Sequence, residues 1–153
     1  MNKILIKHEA DMLKLGAALA KVCPAKAIIF LKGPLGAGKT TLVRGFLKAL
    51  GFSGHVKSPT YTLVETYSLA HITVLHFDLY RIQNPSELQF IGIEEYFSSD
   101  SVIFVEWPEQ GTGWLPPPDL SCYIVPLNAS REIERVASTS RGNELLQQWL
   151  SCD

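Results

Sequence analysis

The sequence is poor in cysteine, has no excess of charge of either sign and contains no long apolar run. Its three cysteines, Cys23, Cys122 and Cys152, lie far apart in the chain. We therefore expect reduced, unreactive thiols and neither a disulfide framework nor a zinc knuckle. Lys and Arg number 14 against 15 Asp and Glu, for a net charge of -1. This balance argues against a broad cationic surface that binds nucleic acid directly.

Membrane-spanning and targeting patterns are also missing. The longest apolar stretches, 27–31 and 102–105, are far shorter than the roughly 20 residues that span a bilayer. Charged residues interrupt the apolar residues at the N-terminus, which is not typical of a signal peptide. At 153 residues, the chain has the length of one average domain. We expect a single cytoplasmic domain over residues 1–153 that does not contact a membrane.

Hydrophobic patterning predicts alternating strands and helices. The runs 27–31 and 101–106 are almost unbroken in apolar residues, as in strands buried on both faces of a parallel sheet. Two pairs of strands with short joins are typical of antiparallel hairpins instead. The sheet is thus expected to be only partly parallel, and Gly92 is a candidate break in one helix. We expect strands at 4–7, 27–31, 62–69, 72–77, 101–106, 121–127 and 132–139, and helices at 11–22, 40–50, 85–97 and 143–150.

Residues 33–40, GPLGAGKT, match the phosphate-binding pattern G-x-x-x-x-G-K-[ST]. The match lies between a buried strand and a helix, where successive backbone N–H groups and the helix N-terminus converge on phosphate oxygens. We expect Lys39 to contact the β- and γ-phosphates of a nucleotide and the Thr40 hydroxyl to bind Mg²⁺. A structural glycine turn with a solvated lysine is the alternative. The candidate phosphate-binding residues are Leu35, Gly36, Ala37, Gly38, Lys39, Thr40 and Thr41.

Two acids follow apolar strands at positions where a P-loop protein holds its magnesium shell. Glu106 follows the run 102–105, and Asp78 follows the run 72–77. Because the strand before Glu106 is the more apolar, we assign Glu106 to the metal. Asp78 is assigned to the attacking water or to the rest of the magnesium shell. The alternative for either acid is a strand-end cap exposed to water.

Other residues near these positions have less specific patterns. The segment 58–63, SPTYTL, lies where switch-like segments sense a γ-phosphate in this fold class, but it also fits an ordinary turn into a strand. Trp107 directly follows Glu106, and tryptophan is more often a core or interface residue than a catalytic one. The histidines have no metal-binding or triad spacing. We expect structural or solvated roles for His8, His55, His71 and His76.

Four segments together closely resemble the bacterial TsaE family, also called YjeE. They are GPLGAGKTT at 33–41, SPTYTLVE at 58–65, HFDLYR at 76–81 and VEWPEQ at 105–110. Members of that family are small P-loop ATPases that work with TsaB and TsaD to form threonylcarbamoyladenosine on tRNAs that read ANN codons. The resemblance and the patterning together indicate an α/β fold, a P-loop NTPase-like three-layer sandwich with a mixed central sheet.

The resemblance also implies how the nucleotide is bound and hydrolysed. ATP is expected on residues 35–40, with Mg²⁺ held by Thr40 and Glu106. Lys39, Glu106 and Asp78 form the expected catalytic set. Hydrolysis is expected to be slow in the isolated chain, because the sequence has no evident arginine finger.

Further implications concern the rest of the pocket and the partners. The resemblance implies that Trp107 matters to hydrolysis or to coupling with partner proteins. It also implies that the neighbourhoods of Glu9 and Ser130 complete the nucleotide pocket. TsaB and TsaD are the expected partners, and tRNA is expected to be contacted only indirectly, through their complex.

The residues alone leave two other function classes open. A small-molecule kinase also uses a P-loop, but it needs an acceptor pocket and usually a lid that carries arginine. Arg81 is the one arginine beside a proposed catalytic acid. A nucleotide-dependent binding switch without useful turnover is the second class. A GTPase is not expected, because the sequence has neither DxxG nor NKxD.

Overall fold

The computed structural model describes residues 2–153, which form seven strands and five α-helices. The strands are β1 (Lys3–Ile6), β2 (Ala27–Lys32), β3 (Val64–Ser68), β4 (Thr73–Asp78), β5 (Val102–Glu106), β6 (Leu120–Pro126) and β7 (Arg131–Ala137). The helices are α1 (Glu9–Val22), α2 (Lys39–Ala49), α3 (Glu87–Phe90), α4 (Ile93–Ser98) and α5 (Ser140–Leu150). No helix within this part of the chain is long and apolar enough to cross a membrane.

All seven strands join one mixed sheet in the order β1-β7-β6-β2-β5-β4-β3. The strands β6, β2, β5 and β4 run parallel to their neighbours in that series. The outer pairs β1–β7, β7–β6 and β4–β3 are antiparallel. The most apolar strands, β2 and β5, lie at the centre, where both faces are covered. The expected mixed sheet with two hairpins is therefore confirmed.

Helices cover both faces of the sheet and make three layers. On one face, α1, α2 and α5 bury a core that includes Met12, Phe46 and Trp149. On the other face, α3 and α4 pack Leu88 and Ile93 against β4 and β5. The alternation of side chains along each central strand supplies both cores. The expected α/β three-layer sandwich is confirmed.

Two glycines allow α1 and α2 to cross at unusually short range. A Cβ on Gly16 would lie 2.1 Å from the Leu42 carbonyl oxygen, and a Cβ on Gly45 would lie 2.2 Å from the Leu13 carbonyl oxygen. Any larger residue at either position would force the helices apart. The crossing fixes the N-terminus of α1 relative to the N-terminus of α2, and both helix ends border the site described below.

Three of the differences from the expected element boundaries have a clear local cause. Helix α1 begins at Glu9 rather than at residue 11, since Asp11 Oδ2 accepts a hydrogen bond from the His8 amide at 3.1 Å and so caps an earlier start. The helix expected at 85–97 is two short helices. They are separated at Gly92, which has the left-handed φ of 73°. Strand β3 begins at Val64 because residues 59–63 form a turn.

Candidate functional site

A cleft of about 770 Å³ opens at the edge of the sheet where β2, β4 and β5 end. Because β6 is parallel to β2, the end of β6, the start of β7 and the end of β1 reach the same edge. The sheet topology thus brings together segments that are far apart in sequence. All of the expected site residues line this cleft, namely Glu9, Leu35, Gly36, Ala37, Gly38, Lys39, Thr40, Thr41, Asp78, Glu106 and Ser130.

The phosphate-binding pattern at residues 33–40, called the P-loop here, forms a loop that lines the cleft. Gly36 and Gly38 have φ values of 76° and 106°, in the left-handed region that glycine adopts without steric cost. Helix α2 begins directly afterwards at Lys39, so the first-turn amides have no acceptor within the helix. These N–H groups and the positive end of the helix dipole favour an anion at this position. The geometry fits a phosphate group.

Lys39 is only 5% exposed, so the alternative of a solvated lysine is wrong. Its ammonium donates to the carbonyl oxygen of Gly33 and, at 3.4 Å, to that of Pro34. Burial lowers the pKa of Lys39 below its usual range, and the nearby carboxylates, with Glu106 first, offset part of this shift. The cation therefore lies in a poorly hydrated place with only neutral acceptors bonded to it, where an anionic ligand would be strongly attracted.

Glu106 is 3% exposed and binds the P-loop helix directly. Its Oε2 accepts a hydrogen bond from Thr40 Oγ1 at 2.9 Å. A hydroxyl and a carboxylate side by side are oxygen ligands of the kind that Mg²⁺ uses together with water and substrate phosphates. Residues 2–153 contain no group of three or more His, Cys, Asp or Glu side chains that could hold a metal ion. The pair of Thr40 and Glu106 fits a magnesium ion that draws its other ligands from water and phosphate.

Asp78 lies beside Glu106 in the parallel register of β4 and β5 and is 4% exposed. Its Oδ2 accepts from Ser58 Oγ at 3.2 Å and from Thr60 Oγ1 at 3.1 Å, while Oδ1 accepts from the Tyr80 amide at 3.0 Å. The switch-like segment is therefore hydrogen-bonded to this acid. Neither acid is a strand-end cap exposed to water, so that alternative is wrong for both.

Trp107 lines the cleft, and its ring contacts Lys39 of the P-loop and Tyr80, which follows β4. Its ring lies 4.1 Å from the Lys39 ammonium and 5.0 Å from the Tyr80 ring. The backbone φ of Trp107 is 57°, a left-handed value that is rare for a bulky residue. Such outliers concentrate at functional sites, where surrounding contacts maintain them. The expectation that Trp107 acts near the nucleotide fits this position and remains a prediction.

The hairpin β6–β7 supplies a contact to the P-loop that the sequence patterns do not identify. Arg131, the first residue of β7, donates from Nη2 to the Gly36 carbonyl oxygen at 3.0 Å. Ser130 precedes it in the same hairpin, and Glu9 begins α1. Arg131 lies 95 residues from Gly36 in sequence, so only the pairing of the outer strands could reveal the contact.

His76 is the buried one of the four histidines, for which structural or solvated roles were expected. Its side chain is fully buried, and its Nε2 lies 2.6 Å from Glu106 Oε2. His55 and His71 are exposed, as expected, and His8 lines the cleft. Nothing in the linear pattern separates His76 from the other three. Its contact depends on the parallel pairing of β4 with β5.

Comparisons with known proteins agree with the motifs. A family model described as "Threonylcarbamoyl adenosine biosynthesis protein TsaE" matches residues 6–135. A Haemophilus influenzae protein named tRNA threonylcarbamoyladenosine biosynthesis protein TsaE is 46% identical, with 94% of each chain covered. A Bacillus subtilis protein of the same name is 38% identical, with 90% of this chain and 84% of the other covered.

A solved structure is similar over nearly its whole length. The crystal structure of YdiB from Bacillus subtilis matches with a TM-score of 0.84 at 27% identity, covering 99% of this chain and 95% of that one. The resemblance in the four sequence segments is thereby confirmed by the whole fold as well as by the relatives. The chain belongs to the TsaE family of threonylcarbamoyl adenosine biosynthesis proteins.

Proposed function

We propose that the chain is a cytoplasmic P-loop ATPase of low intrinsic rate that supports TsaB and TsaD in forming threonylcarbamoyladenosine on tRNAs that read ANN codons. One observation carries the proposal. Lys39, Thr40, Asp78 and Glu106, from three separate elements, line one cleft at the N-terminus of the P-loop helix. Family membership supplies the tRNA-modification context.

Each of these residues has a role that follows from its contacts. Lys39 binds the β- and γ-phosphates in place of the loop carbonyls that it now contacts. Thr40 and Glu106 hold Mg²⁺, whose chemistry here is to neutralise phosphate charge. Asp78, two residues beyond His76 on β4, orients the attacking water. This division leaves the cleft with a binding end at the P-loop and a hydrolytic end at the two acids.

A low rate in the isolated chain follows from the same contacts. Both oxygens of Asp78 already accept hydrogen bonds, two of them from the switch-like segment. Release of Ser58 and Thr60 would free Oδ2 to orient a water. Arg131, the arginine on the P-loop, donates to the Gly36 carbonyl rather than to either acid. We propose that the TsaB–TsaD complex favours the rearranged state and so accelerates hydrolysis.

The carbamoyl transfer and the main tRNA contacts belong to the partners in this proposal. The net charge of -1 gives the chain little general attraction for a polyanion. A second cavity of about 520 Å³, bordered by Thr73 and Ser101, lies where β4 and β5 begin. It is thus at the opposite edge of the sheet from the P-loop. An acceptor bound there could not reach a γ-phosphate, so this cavity does not support a small-molecule kinase.

The decisive experiment measures phosphate release from ATP and Mg²⁺ by the chain alone and then with TsaB and TsaD. We expect slow release alone and faster release with both partners. Lys39→Ala should abolish nucleotide binding and release, because no other ammonium in residues 2–153 donates to the P-loop carbonyls. Lys48→Ala, on the exposed side of the same helix, is the matched control and should leave both unchanged.

Three results would contradict the proposal. Unchanged binding and hydrolysis in Lys39→Ala would remove the P-loop from the mechanism. Stoichiometric transfer of phosphate to a small-molecule acceptor, instead of release to water, would favour the kinase. A tRNA-modification assay that keeps its full rate without this chain would refute the supporting role.

A further inference from the structure

His76 is a buried polar residue that the proposed mechanism does not use. Its side chain is 0% exposed, on a strand with neighbours on both sides. Its Nδ1 is the one buried side-chain nitrogen or oxygen without a hydrogen-bond partner in the described part of the chain. Its Nε2 lies 2.6 Å from Glu106 Oε2. An unpartnered buried nitrogen is unfavourable, so a histidine at this position calls for an explanation beyond packing.

The hydrogen bonds around Glu106 assign the tautomer of His76. Thr40 Oγ1 donates to the same Oε2 at 2.9 Å, so that oxygen acts as an acceptor. A proton on Nε2 makes the imidazole a second donor to it. A proton on Nδ1 would instead bury an N–H group without any acceptor, which is the costlier arrangement. The structure therefore favours the neutral imidazole with its proton on Nε2.

These two donors leave the carboxylate of Glu106 asymmetric. Oε2 receives both hydrogen bonds, whereas Oε1 receives none from any group in residues 2–153. Oε1 is not among the buried atoms that lack a partner, so it is accessible from the cleft that Glu106 lines. One oxygen is fixed by the protein, and the other is available to a ligand in the cleft.

We infer that His76 is a positioning residue for the magnesium site, holding Glu106 so that Oε1 faces the cleft. This inference rests on the proposed function, because that proposal names Glu106 as a magnesium ligand. His76 touches no substrate in this role. Outer groups that orient a metal ligand typically change metal affinity by about 10–100-fold when they are removed.

The same contact keeps Glu106 apart from Lys39. The Glu106 carboxylate is close enough to raise the pKa of the Lys39 ammonium, but the two side chains form no ion pair within 4.0 Å among the described residues. Without the hydrogen bond from His76, the carboxylate is free to turn toward this cation. Such a pair would compete with Mg²⁺ for the Glu106 carboxylate.

A pure packing role makes the opposite prediction and can be tested. If His76 only fills space, an apolar residue of similar size removes the unpartnered Nδ1 and is tolerated. We therefore choose His76→Leu, which lacks a donor, and His76→Gln, whose amide nitrogen retains one. Phe104→Leu is the matched control, because Phe104 pairs with His76 in the register of β4 and β5 and has no polar contact with Glu106.

The main measurement is the affinity for ADP by calorimetry, with Mg²⁺ and with a chelator. The ratio of the two dissociation constants gives the gain in affinity that Mg²⁺ confers. We expect His76→Leu to reduce this gain by about tenfold while affinity without Mg²⁺ stays close to wild type. His76→Gln should restore most of the gain. Phe104→Leu should lower the melting temperature without changing the gain.

Each other outcome has a defined meaning. A wild-type gain in His76→Leu overturns the positioning role but leaves the proposed function intact. Absence of any Mg²⁺-dependent gain in the wild-type protein overturns the proposed magnesium site and the positioning role together. The NMR chemical shifts of the His76 ring nitrogens show which of them carries the proton, and this measurement needs no nucleotide. A proton on Nδ1 instead of Nε2 would contradict the proposed hydrogen bond directly.

Discussion

At the scale of single residues, Asp78 and Glu106 are distinguished by their partners and hardly at all by burial. Both are almost fully buried at neighbouring strand ends. Glu106 accepts from the P-loop residue Thr40, whereas Asp78 accepts from Ser58 and Thr60 in the switch-like segment. The first is thus linked to helix α2, and the second to the switch-like segment. Their proposed roles differ for this reason.

Substitution of the two acids should separate binding from hydrolysis. Glu106→Ala should lower the gain in nucleotide affinity from Mg²⁺ by about tenfold or more, because it removes a proposed metal ligand. Asp78→Asn should leave that gain nearly unchanged and lower the hydrolysis rate about a hundredfold, as expected for loss of a group that orients water. Calorimetry with and without Mg²⁺, together with phosphate release, checks both. The reverse order of effects would mean that the two roles are exchanged.

The cysteines allow a second prediction at this scale. Burial raises the pKa of Cys122 to about 12, and burial together with the charge of Asp119 raises that of Cys23 to about 12. Their thiolate forms are therefore scarce until the solution approaches that pH, and the thiolate is the reactive form. Cys152 is exposed. At pH 8, iodoacetamide should label one thiol per native chain, and Cys152→Ser should abolish this labelling. Equally fast labelling of Cys23 would contradict the assignment.

Residues of the site were predictable where the pattern is continuous in sequence. The P-loop residues occupy consecutive positions, so a local pattern with a known mechanism identifies them. His76 and Arg131 were not identified, because their contacts lie 30 and 95 residues away and depend on strand pairing. Local spacing contains no information about such pairing. The polar contacts that complete the site therefore required the structure.

At the scale of elements, the sequence predicts the type of each element better than its limits. The unbroken apolar runs that become β2 and β5 are central strands, as expected. The limits depend on single hydrogen bonds and φ values that composition does not show. For example, Leu63 has a φ of 73°, and its amide donates to the Pro59 carbonyl at 2.8 Å. This turn delays the start of β3 and holds the switch-like segment near Asp78.

The junction of α3 and α4 offers a clean test of backbone conformation. Gly92 has the left-handed φ of 73°, and a Cβ there would meet no atom within 4 Å. Gly92→Ala should therefore destabilise the protein by about 1 kcal/mol through backbone strain alone. Gly92→Asn should cost less, because asparagine tolerates this conformation. Denaturant unfolding measures both. A more stable Gly92→Ala would show that residues 87–98 prefer one continuous helix.

At the scale of the whole molecule, strand order creates the pocket. The end of β1 lies beside the start of β7, since Ile6 pairs with Arg131. The parallel pairing of β6 with β2 brings the late hairpin to the edge that bears the P-loop. The nucleotide site proposed here therefore has walls from the N-terminal, central and C-terminal thirds of the chain. The mixed sheet was predictable from patterning, whereas this strand order was not, because it depends on nonlocal pairing.

Nucleotide binding should consequently stabilise distant parts of the chain at once. At a concentration of ADP and Mg²⁺ about 100 times the dissociation constant, the folded state gains about 2.7 kcal/mol. In hydrogen exchange, we expect added protection at 6–9 and 126–131 as well as at 35–41, since all three segments line the cleft. Lys39→Ala should show none. A bound ligand suppresses local opening only in the segments that it contacts. Protection confined to 35–41 would therefore exclude Glu9 and Ser130 from the nucleotide pocket.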